Sequence, residues 1–244
     1  MILIHLTSGK KFYVDKLKDF STNFGIIKKE YLEKAKSGEV IKSHLNEEFL
    51  VLEDSICDIL EIIKRGPQIT HPKDFGMLTS LTGLSSGWNV VEGGSGSGVL
   101  TSLLANIVKP DGIVYTYEKN KSFLKIAMYN VSRLRLNENV VFKNKDIREG
   151  IDETNIDLVI LDIPDPWNVL EHAWNSLKPG KFLAIFLPNM TSVLKTLEKL
   201  EKFYVDGIYE CFTRKWVYKK KILRPKSTQI VHTEFLILAR KILR

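Results

Sequence analysis

The stretch Val90-Val91-Glu92-Gly93-Gly94-Ser95-Gly96-Ser97-Gly98-Val99-Leu100-Thr101 constrains this chain more than any other. Its apolar start reads as a β-strand, its glycines as a tight loop and its apolar end as a helix, the strand–turn–helix unit of nucleotide-cofactor sites. Gly94, Gly96 and Gly98 follow an acidic residue in Gly-x-Gly-x-Gly spacing. The dinucleotide fingerprint needs a Gly or Ala at its sixth place, where this chain has Val99, so the loop points away from NAD and towards S-adenosylmethionine (SAM). Glycine without Cβ allows both the sharp turn and the approach of a ligand to bare peptide. Such triplets also serve as plain turns, so the residues downstream carry the weight.

A helix is expected over Val99 to Val108, a turn at Pro110-Asp111-Gly112, and a strand over Ile113 to Glu118. Glu118 stands about 20 residues after Gly98, the step at which a carboxylate meets the ribose hydroxyls in nucleotide-binding α/β folds. A third strand, Val140-Val141-Phe142, leads to Asp146, placed to accept from an adenine amino group, although Lys143-Asn144-Lys145-Asp146 reads equally as a solvated turn. The fourth strand, Asp157 to Leu161, is continuously apolar after its first residue, as a central parallel strand must be. It ends in Asp162-Ile163-Pro164-Asp165-Pro166-Trp167, a stiff loop at the edge where ligands bind in open α/β sheets. Asp162 should face that crevice, while Trp167 either packs on an acceptor ring or starts a helix and turns into the core. Further strands are expected at Phe182 to Leu187, Val205 to Phe212 and Thr233 to Arg240, with a helix near Thr191 to Phe203.

This alternation from residue 66 to 244 predicts a Rossmann-like doubly wound sheet with a C-terminal antiparallel strand. Residues 1–65 differ. A hairpin over Ile2 to Val14, short strands near Gly25, Glu39 and Phe49, and a helix from an Asp54 cap through Ile63 predict a small β-rich domain. A helix from Lys73 to Leu84 follows the linker Arg65-Gly66-Pro67. Composition is ordinary for a globular chain, with 44% hydrophobic residues over 244, and the formal charge of +7 suits a polyanionic partner. The basic, aromatic stretch holding Arg214, Lys215, Trp216, Tyr218, Lys219 and Arg224 reads as phosphate-contacting or as a hairpin edge kept from aggregating. Cys57 and Cys211 imply no disulfide framework, no metal-ligand spacing is visible, and the absence of a signal peptide or membrane-length apolar run gives a cytoplasmic expectation.

Together the glycine loop, Gly66 to Asp74, Tyr117-Glu118, Leu161 to Trp167, Leu187-Pro188-Asn189, Arg224-Pro225 and His232-Thr233 resemble the archaeal and bacterial tRNA (adenine-58-N1) methyltransferases. The resemblance covers most of the chain. It implies a class I SAM-dependent methyltransferase acting on tRNA as a homotetramer, with the neighbouring position 57 left open. The family's usual Ala-Gly-Thr-Gly-Ser-Gly is here Gly93-Gly94-Ser95-Gly96-Ser97-Gly98, and His71 stands where many relatives have Tyr. The implied cofactor set is Gln68, Glu92, Gly94, Ser95, Gly96, Ser97, Gly98, Val99, Glu118, Lys119, Asp146 and Asp162. Asp162 is also the implied catalytic carboxylate. His71, Pro164, Trp167 and His232, with Arg214, Lys215, Lys219 and Arg224, form the implied substrate set, although a lone histidine such as His232 reads first as a hydrogen-bonded structural group. Competing expectations are a methyltransferase for a small molecule or protein, which leaves the Asp162–Trp167 motif unexplained, and a non-catalytic tRNA-binding subunit, which would not need the glycine loop or Asp162.

Overall fold

The computed structural model describes the chain except at Asp54, residues 61–69, Lys220, Gln229, Ile230 and Arg244, and gives the backbone alone for Ile59, Leu60 and Lys219. Gln68, the Gly66-to-Ile69 part of the motif, the Asp54 cap and the far end of the helix expected to reach Ile63 therefore lie outside the described residues. The chain divides into two compact units, Met1–Lys64 and Arg65–Arg244.

In the first unit, β1 (Ile2–His5) pairs antiparallel with β2 (Lys11–Tyr13). A second hairpin, β3 (Phe20–Thr22) and β4 (Gly25–Ile27), precedes α1 (Lys29–Lys34), β5 (Val40–Lys42), β6 (Glu48–Leu52) and α2 (Ile56–Leu60). The main sheet runs β2-β1-β6-β5. Alternation sends Leu3, Phe49 and Val51 into a core shared with Ile27 and Leu32, edged by the rings of Phe12, Phe20 and Phe24. The sequence reading lacks β3 and α1, because Phe20-Ser21-Thr22 is too short for a periodic signal and Lys29–Lys34 buries only Leu32.

The second unit opens with α3 (Pro72–Thr82), with Pro at the first helical position and Gly83 in the left-handed conformation just past its end. Then come β7 (Val90–Gly93), α4 (Val99–Val108), β8 (Val114–Tyr117), α5 (Lys121–Arg133), β9 (Val140–Lys143), β10 (Ile156–Leu161), α6 (Leu170–Ser176), β11 (Leu177–Leu187), α7 (Met190–Leu197), β12 (Phe203–Glu210), β13 (Trp216–Lys219), β14 (Ile222–Pro225) and β15 (Phe235–Lys241). The sheet order is β12-β15-β11-β10-β7-β8-β9, parallel throughout except that β15 runs antiparallel to β11 and β12. All six residues of β10 are buried, the apolar run Leu158 to Leu161 as a central strand requires and Asp157 paired with Lys178 and Lys181. The order reverses around β7, so the crevice forms beyond the carboxyl ends of β7, β8 and β10.

Several boundaries differ from expectation. Strand β11 begins at Leu177 rather than Phe182. The helix expected to reach Phe203 ends at Leu197, and β12 begins at Phe203 rather than Val205. Leu194, Leu197 and Leu200 keep helical spacing in the sequence, but the chain breaks into turns after Leu197 so that Phe203 can pair with Lys241 and join the core. Among the described residues no helix is long and apolar enough to cross a membrane.

Candidate active site

The glycine loop lies where two strand ends nearly touch. Gly94 adopts φ +98°, and a Cβ there would stand 2.5 Å from the carbonyl oxygen of Asp162. Gly98, at φ +79°, is the N-cap of α4, and a Cβ on it would meet the backbone of Ala127 in α5 at 2.8 Å. These approaches need glycine for two reasons at once, left-handed backbone and absent volume. The Gly96 amide donates to Glu118 Oε2 at 3.1 Å and the Asn120 amide to Oε1 at 2.9 Å, so Glu118 is clamped at the end of β8. A carboxylate has lone pairs left for hydroxyl donors after two such bonds.

Glu92 departs from its expected role. It is fully buried under the loop, where Oε2 accepts from Thr101 and Thr116, each at 2.6 Å, and it is not among the residues lining the crevice. Burial pushes its carboxyl up to about 7, against the lowering effect of the two hydroxyls. Glu92 therefore ties β7 to α4 and β8 and holds the loop from below.

The crevice encloses about 460 Å³, within the range of small-molecule sites. Gly94, Ser95, Gly96, Ser97, Val99, Glu118, Lys119, Asp146, Asp162 and Pro164 all line it; Gly98 does not, being occupied with the α4–α5 approach. Asp146 is already engaged: Arg148 binds both its oxygens and reaches Asp165 at 2.8 Å with Nη1. The guanidinium holds Asp146 down to about 2. Thr70, Phe123, Arg148, Asp165, Thr233 and Glu234 also line the crevice, and sequence reading missed them as site residues. Thr70, Asp165 and Thr233 lie inside the motifs Gly66 to Asp74, Leu161 to Trp167 and His232-Thr233, and Glu234 directly follows the last, but none of the four is singled out by residue type. Arg148 and Phe123 sit in stretches with no motif of their own.

Asp162 stands just beyond β10, half-buried, with Thr70 Oγ1 donating to Oδ2 at 3.5 Å. Burial among crevice walls pushes its carboxyl up to about 6, and the Thr70 hydroxyl lowers it only in part. It is thus ionised at neutral pH and accepts one weak bond. Below it, Lys73 Nζ donates to Asp74 Oδ1 at 2.8 Å and to Thr233 Oγ1 at 2.5 Å, and the Thr233 hydroxyl donates to Asp74 Oδ2 at 2.6 Å. This closed, buried cluster fastens α3 to the segment before β15. Lys73→Met strands the Asp74 charge with only hydroxyl support, and is expected to lower the unfolding free energy by about 3 kcal/mol in a denaturant titration.

Three residues of the implied substrate set lie outside the crevice lining. Trp167 packs against the core with Lys195 Nζ 3.9 Å from its ring centroid, and does not line the crevice. His71 is the residue before α3 and contributes no lining atom, its Nδ1 buried without a partner among the described residues. His232 is also outside the lining and is held between Glu210 Oε1, 2.5 Å from Nδ1, and the Pro188 carbonyl, 3.0 Å from Nε2. Both partners are acceptors, so both ring nitrogens must donate, and the Pro188 and Glu210 bonds raise its pKa accordingly. The basic stretch forms the hairpin β13–β14, in the register Trp216↔Pro225. Arg214, Lys215 and Arg224 are exposed, Arg214 lying 5.6 Å from the Trp216 ring centroid, while the Lys219 side chain lies outside the described residues. Among the described residues no group of three or more His, Cys, Asp or Glu is placed to hold a metal.

Residues 60–234 match the family model described as tRNA methyltransferase complex GCD14 subunit. The chain is 35% identical to the tRNA (adenine(57)-N(1)/adenine(58)-N(1))-methyltransferase TrmI of Methanocaldococcus jannaschii, over 95% of this chain and 92% of that one. Its fold superposes on the SAM-dependent O-methyltransferase of Thermotoga maritima with a TM-score of 0.92, at 32% identity over 100% of this chain and 92% of that one. The tRNA (m1A58) methyltransferase TrmI of Aquifex aeolicus gives a TM-score of 0.87, at 26% identity over 100% and 96%. With a mixed seven-stranded sheet of order β12-β15-β11-β10-β7-β8-β9, a glycine loop at its switch point and this breadth of match, the chain is a class I SAM-dependent methyltransferase of the TrmI/GCD14 tRNA methyltransferase family.

Proposed function

We propose that this protein transfers a methyl group from SAM to N1 of adenosine 58 in the T-loop of tRNA. The observation that carries the reading is Asp162: an ionised, half-buried carboxylate at the carboxyl end of the central strand, in one crevice with the glycine loop and Glu118. The crevice residues suit SAM. Gly94 and Gly96 present bare peptide in the crevice lining, Glu118 has acceptor capacity for vicinal hydroxyls, and Phe123 and Ile147 offer apolar walls. Bound SAM supplies an electrophilic methyl whose bond to sulfur breaks, with its electron pair going to sulfur, as the bond to N1 forms.

The rest is the work of this chain. Adenine N1 is a lone-pair nucleophile, so no base is needed to create it. Methylation leaves the ring positively charged, and Asp162 accepting from the N6 amino group stabilises that charge as it develops. The loop Ile163 to Pro166, with φ fixed at two prolines, holds the carboxylate in place. N1 lies on the Watson–Crick edge, so the base must be turned out of the folded tRNA to reach the crevice. Exposed Arg214, Lys215 and Arg224 support phosphate contacts that position the RNA. The same reading carries a homotetramer and a cytoplasmic location. Exposed Phe212, Trp216, Ile222 and Leu223 on and beside the hairpin support it as apolar surface for a second copy to cover.

Labelled SAM and unmodified tRNA transcripts test the reading. The expected product is N1-methyladenosine after nucleoside digestion, absent when adenosine 58 is replaced by guanosine. Tight SAM binding without transfer to either transcript would reassign the acceptor.

A further inference from the structure

Glu234 stands in the crevice wall with a carboxyl group that its surroundings leave unsatisfied. It lines the crevice with Asp162 and Thr233, is only 9% exposed, and its Oε1 is buried without a hydrogen-bond partner among the described residues. The fold puts it there through the antiparallel β15: the pairing Leu187↔Phe235 sets the residue before β15 beside the residue after β11. The titratable groups facing it are Asp162, beyond β10, and Asp74 and Lys73 in the first turn of α3. Lys73 is already held by Asp74 and Thr233, so it does not pair with Glu234.

Burial first, then the carboxylates of Asp162 and Asp74, push Glu234 up to about 8, whereas Asp162 lies at about 6. At neutral pH one wall of the crevice thus offers an ionised acceptor and a protonated donor, two carboxyls set to opposite roles by their environments. That pattern complements a base edge with a donor next to an acceptor. Adenine has such an edge in N6–H and N7, leaving N1 free on the other side of N6, whereas guanine places the acceptor O6 beside N7.

We propose that Glu234 is a specificity-determining residue that donates its carboxyl proton to N7 of the target adenine while Asp162 accepts from N6. The inference rests on the adenine-N1 reading above. Glu234 keeps its proton throughout, so the Asp162–Glu234 pair carries a single negative charge, on Asp162, beside the base as the ring becomes positive.

The test uses the full-length protein and tRNA carrying 7-deazaadenosine at position 58, where a C–H replaces N7. Wild-type protein should lose about tenfold in kcat/KM on this substrate, the worth of one hydrogen bond. Glu234→Met, which keeps the volume without a donor, should lose about tenfold on adenosine and nothing more on 7-deazaadenosine. Glu234→Gln keeps a donor that does not ionise, so it should stay sensitive to N7 while its kcat/KM no longer falls above pH 8, as the wild-type kcat/KM should. SAM affinity and a melting curve verify that each variant is folded. Equal wild-type rates on the two tRNAs, or a full 7-deaza penalty persisting in Glu234→Met, would overturn the proposal. Failure to methylate the adenosine tRNA at all would instead strike the function reading.

Discussion

Replacing Asp162 by alanine is expected to lower kcat about 10³-fold while leaving SAM affinity within a few-fold of wild type. The size follows from removing a preorganised charge from the place where the base becomes cationic, typically worth about 10²–10³ in rate. The Asp162 carboxylate is half-buried and accepts one weak bond from Thr70, so most of its acceptor capacity is free for the substrate. Asp162→Asn retains an acceptor oxygen without the charge, and a loss of about 10² is expected. In the wild type the carboxyl must be ionised, so kcat/KM should rise with pH up to about 6 and hold until Glu234 ionises near 8, an acid limb that neither variant can show. The stability sign is opposite. A carboxyl whose folded pKa is raised favours the fold in its protonated form, and that stability is lost as pH rises through about 6. Asp162→Asn should therefore melt higher than wild type at pH 8 while being nearly inactive. Single-turnover rates, with cofactor titration alongside, decide the matter, and undiminished turnover in either variant would remove Asp162 from the mechanism.

Gly94→Ala is expected to weaken SAM binding about a hundredfold and to depress kcat as well. The added methyl meets the Asp162 carbonyl oxygen at 2.5 Å, a backbone atom that cannot rotate away, and the φ of +98° is itself strained for alanine. Relief requires the β7 and β10 loops to part, which displaces the glycine loop and the Asp162 carboxylate together. Gly87→Ala separates the two causes. Gly87 also has a left-handed φ, +81°, but open space around it, so its substitution should cost about 1 kcal/mol of stability and leave cofactor binding alone. Isothermal titration with SAM on both variants reads the difference; similar affinities for the two would show that backbone strain, not the approach of the loops, governs the cradle.

Local signals made the sheet legible. The unbroken apolar run at β10 and the strand–loop–helix at Val90 to Val108 report burial and turning within a few residues, and the structure has α4 at Val99–Val108 as expected. The crevice residues that were legible share that property: Gly94, Gly96, Glu118, Asp146 and Asp162 each follow a parallel strand, and such strand ends converge whenever the sheet is doubly wound. The end of α7 was misread because Leu200 and Phe203 fit a helical period, while the decisive contact, Phe203 against Lys241, is with a strand about forty residues further along the chain.

By itself, then, the sequence determined the strand–helix alternation of the second unit, the glycine loop and the placing of carboxylates at strand ends, because periodicity, φ preference and chain direction act locally. Tertiary structure alone decided which side chains meet. It closed Lys73 and Asp74 on Thr233, spanned Asp146 and Asp165 with Arg148, turned Trp167 into the core, and set Glu234 beside the crevice through an antiparallel last strand. Those are outcomes of packing between segments up to 160 residues apart, where burial and charge pairing across the sheet, not neighbours in the chain, fix each side chain's partner and protonation state.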